Sequence, residues 1–319
     1  MIAKSADVAR LAGVSRGAVS QILNGRGERF SASTIERVKE AAIELDYRPS
    51  AAGRALARGS SDFVIALIPD TTFGGNLQDI FGAATEQLAA RGLTLVLRLA
   101  TPTPAALDRL VSGILPRAVL SLTPFSNEER ALLERRGIAA FDPQVGSEDA
   151  FDHQIGRLQA RHLIERGLTR LAVARLQDAR QDPFGQGREE GVRAECRSAG
   201  LDAPTVVHLG IDIDEALTAL DHLDPPRIGI ACYNDDIAIT LLSAARIRGL
   251  GVPRDVALIG MDRTPLSQVT VPRLTTISYD MTAPTKNMIA NFLSVLGNED
   301  APDHPIVGLA LELERGDTT

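Results

Sequence analysis

Asp7-Val8-Ala9-Arg10-Leu11-Ala12-Gly13-Val14-Ser15-Arg16-Gly17-Ala18-Val19-Ser20-Gln21-Ile22-Leu23-Asn24-Gly25 decides how this chain is read. Val8, Leu11 and Ala12 recur at helical spacing, and Gly13 supplies the left-handed residue that stops a helix. Ser15 then fits an N-cap, and Val19, Ile22 and Leu23 give the second helix one apolar face before Asn24-Gly25 ends it. Two short helices joined by Ala12-Gly13-Val14-Ser15 make a helix-turn-helix. Ser33 with Glu36 suggests a capping box for a third helix, with Ile35, Val38, Ala42 and Leu45 facing inward. Three such helices close a small core and leave the second able to enter a major groove.

Charge is distributed to match. Residues 1–60 carry about +4, whereas the whole chain is −7, so the remainder is near −11. A basic head on an acidic body fits a polyanion held at one end and repelled from the other. At 319 residues, 44% hydrophobic and 24% charged, the chain is a folded protein of two or three lobes, neither disordered nor fibrous. The apolar run Phe63–Ile68 falls far short of the ~18 residues that span a bilayer, so no membrane partner is expected. The opening residues show no export signal, and two cysteines, Cys196 and Cys232, cannot make a disulfide framework. The expected location is cytoplasmic.

Three motifs look chemical and are rejected. Gly13-Val14-Ser15-Arg16-Gly17 matches a nucleophile elbow, but it follows a helix where a strand is required. Gly185-Gln186-Gly187-Arg188-Glu189-Glu190-Gly191 has the wrong spacing for a dinucleotide fingerprint and reads as a loop running into a helix. The five histidines, 153, 162, 208, 222 and 304, have no metal-ligand spacing. No catalytic residue, cofactor or metal is expected.

From Phe63 onward, strand and helix alternate: strands over 63–69, 93–99, 118–122, 138–141, 171–174, 206–209, 228–233 and 256–261, and helices over 75–91, 104–115, 127–136, 155–166, 186–199, 215–220 and 236–248. Repeated βα units require parallel sheets covered by helices on both faces. The expected fold class is α/β, a two-lobed body of parallel sheets behind a small all-α headpiece, with the chain crossing between lobes near 142–155 and 262–284.

Asp7 to Ser15, Val19-Ser20, Leu23-Asn24 and Tyr47-Arg48-Pro49-Ser50 resemble the headpiece of the lactose-repressor (LacI) family of bacterial transcription regulators. Asn234-Asp235-Asp236-Ile237-Ala238, the run Gly251–Asp262 and Pro272-Arg273-Leu274-Thr275-Thr276-Ile277 resemble that family's C-terminal landmarks. The resemblance implies a periplasmic-binding-protein-like body. It divides the chain into a headpiece over 1–48, a hinge helix and linker over 49–61, and an effector-binding and dimerisation domain over 62–319. It also implies that Arg16, Gly17 and Gln21 take base-reading places, while Ser15, Ser20, Asn24 and Arg29 mostly hold phosphates. Arg16 can pair with guanine O6 and N7, and Gln21 with adenine N6 and N7. Gly17 departs from the family, which usually carries a side chain there.

Ala51-Ala52-Gly53-Arg54-Ala55-Leu56-Ala57 is too short to be a stable helix in isolation. By resemblance it is the hinge helix, with Ala52 and Leu56 against DNA and Leu56 wedged into the minor groove. The plainer reading is a flexible linker, which Gly59-Ser60-Ser61 certainly suits. Carried over in the same way, Arg188, Asn234 and Asp262 meet a small-molecule effector, a set suited to vicinal hydroxyls. Phe73 and Phe125 are wall candidates, with Tyr279 and Phe184 less favoured; Asn234 could equally cap the helix at Asp236, and each Phe could be core. With 4% aromatic residues and no Trp, a sugar or sugar derivative is preferred to a purine. The expected partners are pseudo-palindromic double-stranded operator DNA, the effector and a second copy of the chain in a homodimer. No apolar heptads follow Leu311-Glu312-Leu313, so a tetramerisation coil is not expected.

Overall fold

The computed structural model describes residues 3–48, 55, 59–68, 75–99, 103–142, 151–178, 182, 184–280, 290, 292, 294 and 310–319. Helices α1 (Ser5–Ala12), α2 (Arg16–Leu23) and α3 (Ala32–Glu44) form the headpiece around Val8, Ala9, Ala12, Val19, Ile22, Val38, Ala41 and Ala42. Gly13 ends α1 at φ 68°, and the Ser15 hydroxyl accepts a hydrogen bond from the Ala18 N–H at 3.2 Å. Leu11, expected inside, is 48% exposed because Val8, Ala9 and Ala12 centre the buried stripe and leave it on the flank. The cap of α3 is Ser31, not Ser33: its hydroxyl accepts from the Thr34 N–H, and Phe30 and Ile35, on either side of it, pack on the headpiece core.

The N-terminal lobe runs β1 (Phe63–Ile68), α4 (Gly75–Ala89), β2 (Thr94–Leu99), α5 (Pro104–Ile114), β3 (Ala118–Ser121), α6 (Asn127–Arg135) and β4 (Ala139–Phe141), as a parallel sheet of order β2-β1-β3-β4. Val64, Ala66 and Ile68 pack on one face of β1, and Ile65 and Leu67 on the other. A strand covered on both sides reads as the continuous apolar run seen in the sequence.

The C-terminal lobe repeats the plan with α7 (Phe151–Glu165), β5 (Leu171–Leu176), α8 (Gly185–Ser198), β6 (Thr205–Leu209), α9 (Ile213–Leu223), β7 (Ile228–Cys232), α10 (Asp235–Ile247) and β8 (Val256–Ile259). Its parallel sheet has the order β6-β5-β7-β8. Helix α7 begins four residues before the expected 155, and α9 is longer than 215–220 at both ends.

An antiparallel pair, β9 (Thr276–Tyr279) with β10 (Leu311–Glu314), was not expected from the sequence. Four-residue strands outside the βα rhythm leave too little periodicity to read. The pair also corrects the second crossing. Residues 262–280 stay with the C-terminal lobe, whereas buried Phe292 stacks edge-on against Phe141 in the N-terminal lobe at 4.7 Å. Among the described residues, 311–319 lie with the C-terminal lobe again, β10 pairing back onto β9.

Helices α7 and α8 touch backbone to backbone. A Cβ at Gly156 would overlap the Arg188 carbonyl, and one at Gly191 would overlap the His153 carbonyl. These glycines fix how deeply α8, and therefore Arg188, sits in the lobe. Gly156→Ala or Gly191→Ala must push the helices apart and should cost roughly 1–3 kcal/mol. Urea unfolding followed by circular dichroism measures this, and unchanged midpoints would contradict the packing account.

Candidate DNA-reading face and ligand site

With Ala18, Val19 and Ile22 turned into the headpiece core, the helical period leaves Arg16, Gly17, Ser20, Gln21 and Asn24 on the other side of α2. Arg16, Gly17 and Ser20 are exposed; Gln21 and Asn24 are half-buried. Asn24 donates its side-chain amide to the Ser20 hydroxyl at 3.3 Å, and the Arg29 guanidinium lies 5.3 Å from the centre of the Phe30 ring. Ser15 is occupied as the cap of α2. A Cβ at Gly17 would meet only the Ser15 hydroxyl, at 3.8 Å, so internal packing does not impose the missing side chain. Ala52, Leu56 and Phe73 lie outside the described residues.

In the C-terminal lobe, Arg188 projects from the first turn of α8 and is 9% exposed. Its Nε donates to the Asp152 carboxylate on α7 at 3.0 Å, and a terminal nitrogen donates to the Tyr233 carbonyl. The Tyr233 and Phe184 rings flank the guanidinium at 4.8 and 5.8 Å from their centroids. Burial works against the Arg188 charge, but Asp152, Tyr233 and Asp262 more than offset it and hold the group above its ordinary range. Burial in turn pushes the Asp152 carboxyl up, against the pull of Arg188. Removing one member of such a pair strands the other, at a cost of roughly 3–5 kcal/mol when fully buried and less at the partly open edge here.

Asp262 follows β8 with φ 100°, a conformation that favours glycine, and its N–H donates to the Ile277 carbonyl at 2.9 Å. Side-chain residues forced into this region mark places where the surroundings fix the backbone against its preference. Asn234 is 3% exposed and caps α10, its Oδ1 accepting from the Ile237 N–H at 3.0 Å. Arg188, Asp262 and the Tyr233–Asn234 turn are thereby brought together where β7 and β8 end. Tyr279 packs edge-on against Phe151 at 4.9 Å. Phe125 is buried in the N-terminal lobe with Leu107, Val111 and Leu133, its N–H donating to Asp142 at 2.6 Å, so its ring is used in packing.

Sequence reasoning missed three acids. Asp152 pairs with an arginine 36 positions away, which no local spacing reveals. Asp182 takes the Arg175 guanidinium at 2.6 Å, with Glu189 on its other side at 2.9 Å. Asp235 is fully buried: Thr276 Oγ1 donates to it at 2.6 Å, and the Thr264 N–H and hydroxyl donate at 2.7 and 3.1 Å. The signal for Asp235 was its place directly after Asn234, at the mouth of a wholly apolar strand. Burial raises it to about 6; hydrogen bonds from Thr276 and Thr264 oppose the rise, and Asp262 adds to it.

Residues 6–50 match the bacterial regulatory proteins of the lacI family, and residues 160–319 match the periplasmic binding protein-like domain. The HTH-type transcriptional regulator GntR of Pseudomonas aeruginosa is 30% identical over 318 residues, covering 93% of this chain and 90% of that protein. The chain belongs to the LacI family. A Lac repressor dimer bound to operator and the anti-inducer ONPF shares the fold at TM-score 0.72 and 20% identity, over 100% of this chain and 99% of that one. A complex of the transcriptional regulator CelR with cellobiose does so at TM-score 0.65 and 22% identity, over 99% and 100%. This is a family of transcriptional regulators with a DNA-binding and an effector domain, and its members are not enzymes. Among the described residues, no helix is long and apolar enough to cross a membrane.

The raised Asp235 group fixes a sign for the pH dependence of stability. The folded state holds the proton more tightly than the unfolded chain, so this group's contribution is full below about 3.8 and is lost as pH rises through about 6. Asp235→Asn keeps the shape and removes the titration. Relative to that variant, wild type should lose on the order of 1–3 kcal/mol of unfolding free energy between pH 4 and pH 7. Parallel pH profiles from chemical denaturation would contradict the assignment.

Proposed function

We propose that this LacI-family chain represses transcription by holding a pseudo-palindromic operator as a homodimer, and that a sugar or sugar derivative in its C-terminal domain sets the affinity. Residues 1–48 read DNA, 49–61 form the hinge, and 62–319 bind effector and dimerise. On α2, Arg16 and Gln21 read bases and Gly17 lets the backbone come close, while Ser20 and, around the helix, Ser15, Asn24 and Arg29 serve phosphates; on the hinge, Ala52 and Leu56 meet the minor groove. Phosphate contacts supply affinity and salt dependence, and base contacts supply specificity.

The observation that carries the effector reading is Arg188: a guanidinium held by Asp152, flanked by two rings and influenced by Asp262 at the mouth of the lobe. A forked donor beside carboxylates matches the alternating donors and acceptors of vicinal hydroxyls. The Tyr233 and Phe184 rings already lie against the guanidinium, which leaves them poor platforms for a flat base. A protein of this fold complexed with cellobiose supports the same class. Asn234, Tyr279 and Phe73 complete the proposed lining; Phe125 supports it from the core. The exposed apolar residues Leu266 (63%), Val269 (73%) and Val271 (85%), on the loop between β8 and β9, form the proposed homodimer face. The operator-bound Lac repressor dimer supports a second copy as its occupant.

Low-salt gel shifts on duplex from the protein's own upstream region, with thermal shifts against neutral sugars, sugar acids and purine nucleosides, test both halves. Arg16→Ala should relax preference at one base pair per half-site by about 1–3 kcal/mol. One sugar-class compound should raise the wild-type melting temperature, and Asp262→Asn should abolish the rise. Stabilisation by purines alone would replace the sugar; no response to any class would favour a protein partner in the effector's role.

A further inference from the structure

One hydrogen-bonded chain joins the ligand-facing turn to the proposed dimer face. Asn234 caps α10, and the next residue, Asp235, donates its N–H to the Met261 carbonyl at 2.9 Å, beside Asp262. The Asp235 carboxylate grips Thr264 through two donors and Thr276 through a third. Thr264 in turn organises the loop beyond it. Its hydroxyl accepts from the Ser267 N–H at 3.3 Å, and its carbonyl accepts from the Ser267 hydroxyl at 2.7 Å. The Thr270 hydroxyl donates to the Ser267 carbonyl at 3.1 Å and accepts from the Leu274 N–H at 3.0 Å. Leu266, Val269 and Val271 stand outward from this frame.

We propose that Asp235 is the positioning residue that couples the ligand turn at Asn234 and Asp262 to the loop bearing the dimer face. This rests on the dimer-face and ligand-turn readings above, and it gives Asp235 a role apart from touching ligand. Three donors converge on one buried carboxylate, so a displacement of Asp262 cannot be absorbed locally without breaking a hydrogen bond in a water-poor site. The carboxylate's two oxygens face opposite ends of the loop: Oδ2 holds the start at Thr264, and Oδ1 holds Thr276, where β9 resumes. The apolar segment between these two grips therefore moves as one piece. The loop otherwise presents three large apolar side chains to water on a backbone with two consecutive positive-φ residues, Asp262 and Arg263. Such a loop holds one shape only if something inside clamps it.

The test uses the full-length protein without ligand and reads two quantities: the dimer dissociation constant by sedimentation, and hydrogen exchange across residues 260–268. Thr276→Val is isosteric but removes a donor to Asp235, whereas Thr276→Ser keeps it. Thr276→Val should weaken self-association at least tenfold and speed exchange at Asp262 and Thr264, and Thr276→Ser should match wild type in both. Asp235→Ala should exceed Thr276→Val; if it fails to fold, the Thr276 pair decides. Val271→Asp is the control for the surface itself and should dissociate the dimer with the Asp235 hydrogen bonds intact. If Val271→Asp associates like wild type, the dimer-face reading fails and the coupling with it. If Val271→Asp dissociates while Thr276→Val stays within twofold of wild type, the dimer face stands and Asp235 is not the coupling residue.

Discussion

A guanidinium that leaves water must be met by charge, and Arg188 is the place where this requirement organises the C-terminal lobe. It reaches Asp152 only because α7 and α8 lie backbone to backbone at Gly156 and Gly191. The same contact sets α8 against the sheet, turns Phe184 and Tyr233 around the guanidinium, and leaves Asp262 within its field. Loosen the helix crossing and the charge loses its partner; remove the charge and the crossing gains a stranded carboxylate. Packing and polarity are thus a single constraint on this part of the lobe.

The headpiece solves a different problem with less material. Its three helices bury mostly Ala and Val, a core thin enough that each cap matters. Gly13 and Ser15 set the angle between α1 and α2, and that angle frees one side of α2. Gly17 sits on that side with room for a methyl group, so internal packing does not require its missing side chain.

What the sequence makes legible follows the range of each interaction. The turn Gly13–Ser15 and the apolar faces of α2 and α3 are local and read directly, as does the βα rhythm, because a strand buried on both sides is continuous in sequence. Errors came where neighbours compete or where a partner is remote. Ser33 with Glu36 reads as the cap on paper, yet Ser31 takes that place, with Phe30 and Ile35 on either side of it packed on the headpiece core. The return of Phe292 to the N-terminal lobe and the β9–β10 pairing depend on contacts across many residues, in elements too short to show a period. Arg188 and Asp262 stood out through family resemblance, but Asp152 and Asp235 did not, because a buried acid is recognised by what surrounds it.

On the proposed function, a small molecule held near Arg188 and Asp262 changes the grip of α2 on DNA. Linkage makes this measurable in a single titration, because a ligand that alters operator affinity must bind free and operator-bound protein differently. Fluorescence anisotropy with a labelled operator duplex, at fixed ionic strength, should show the dissociation constant changing at least tenfold when the most stabilising ligand saturates the protein. An unchanged dissociation constant under full occupancy would contradict the account.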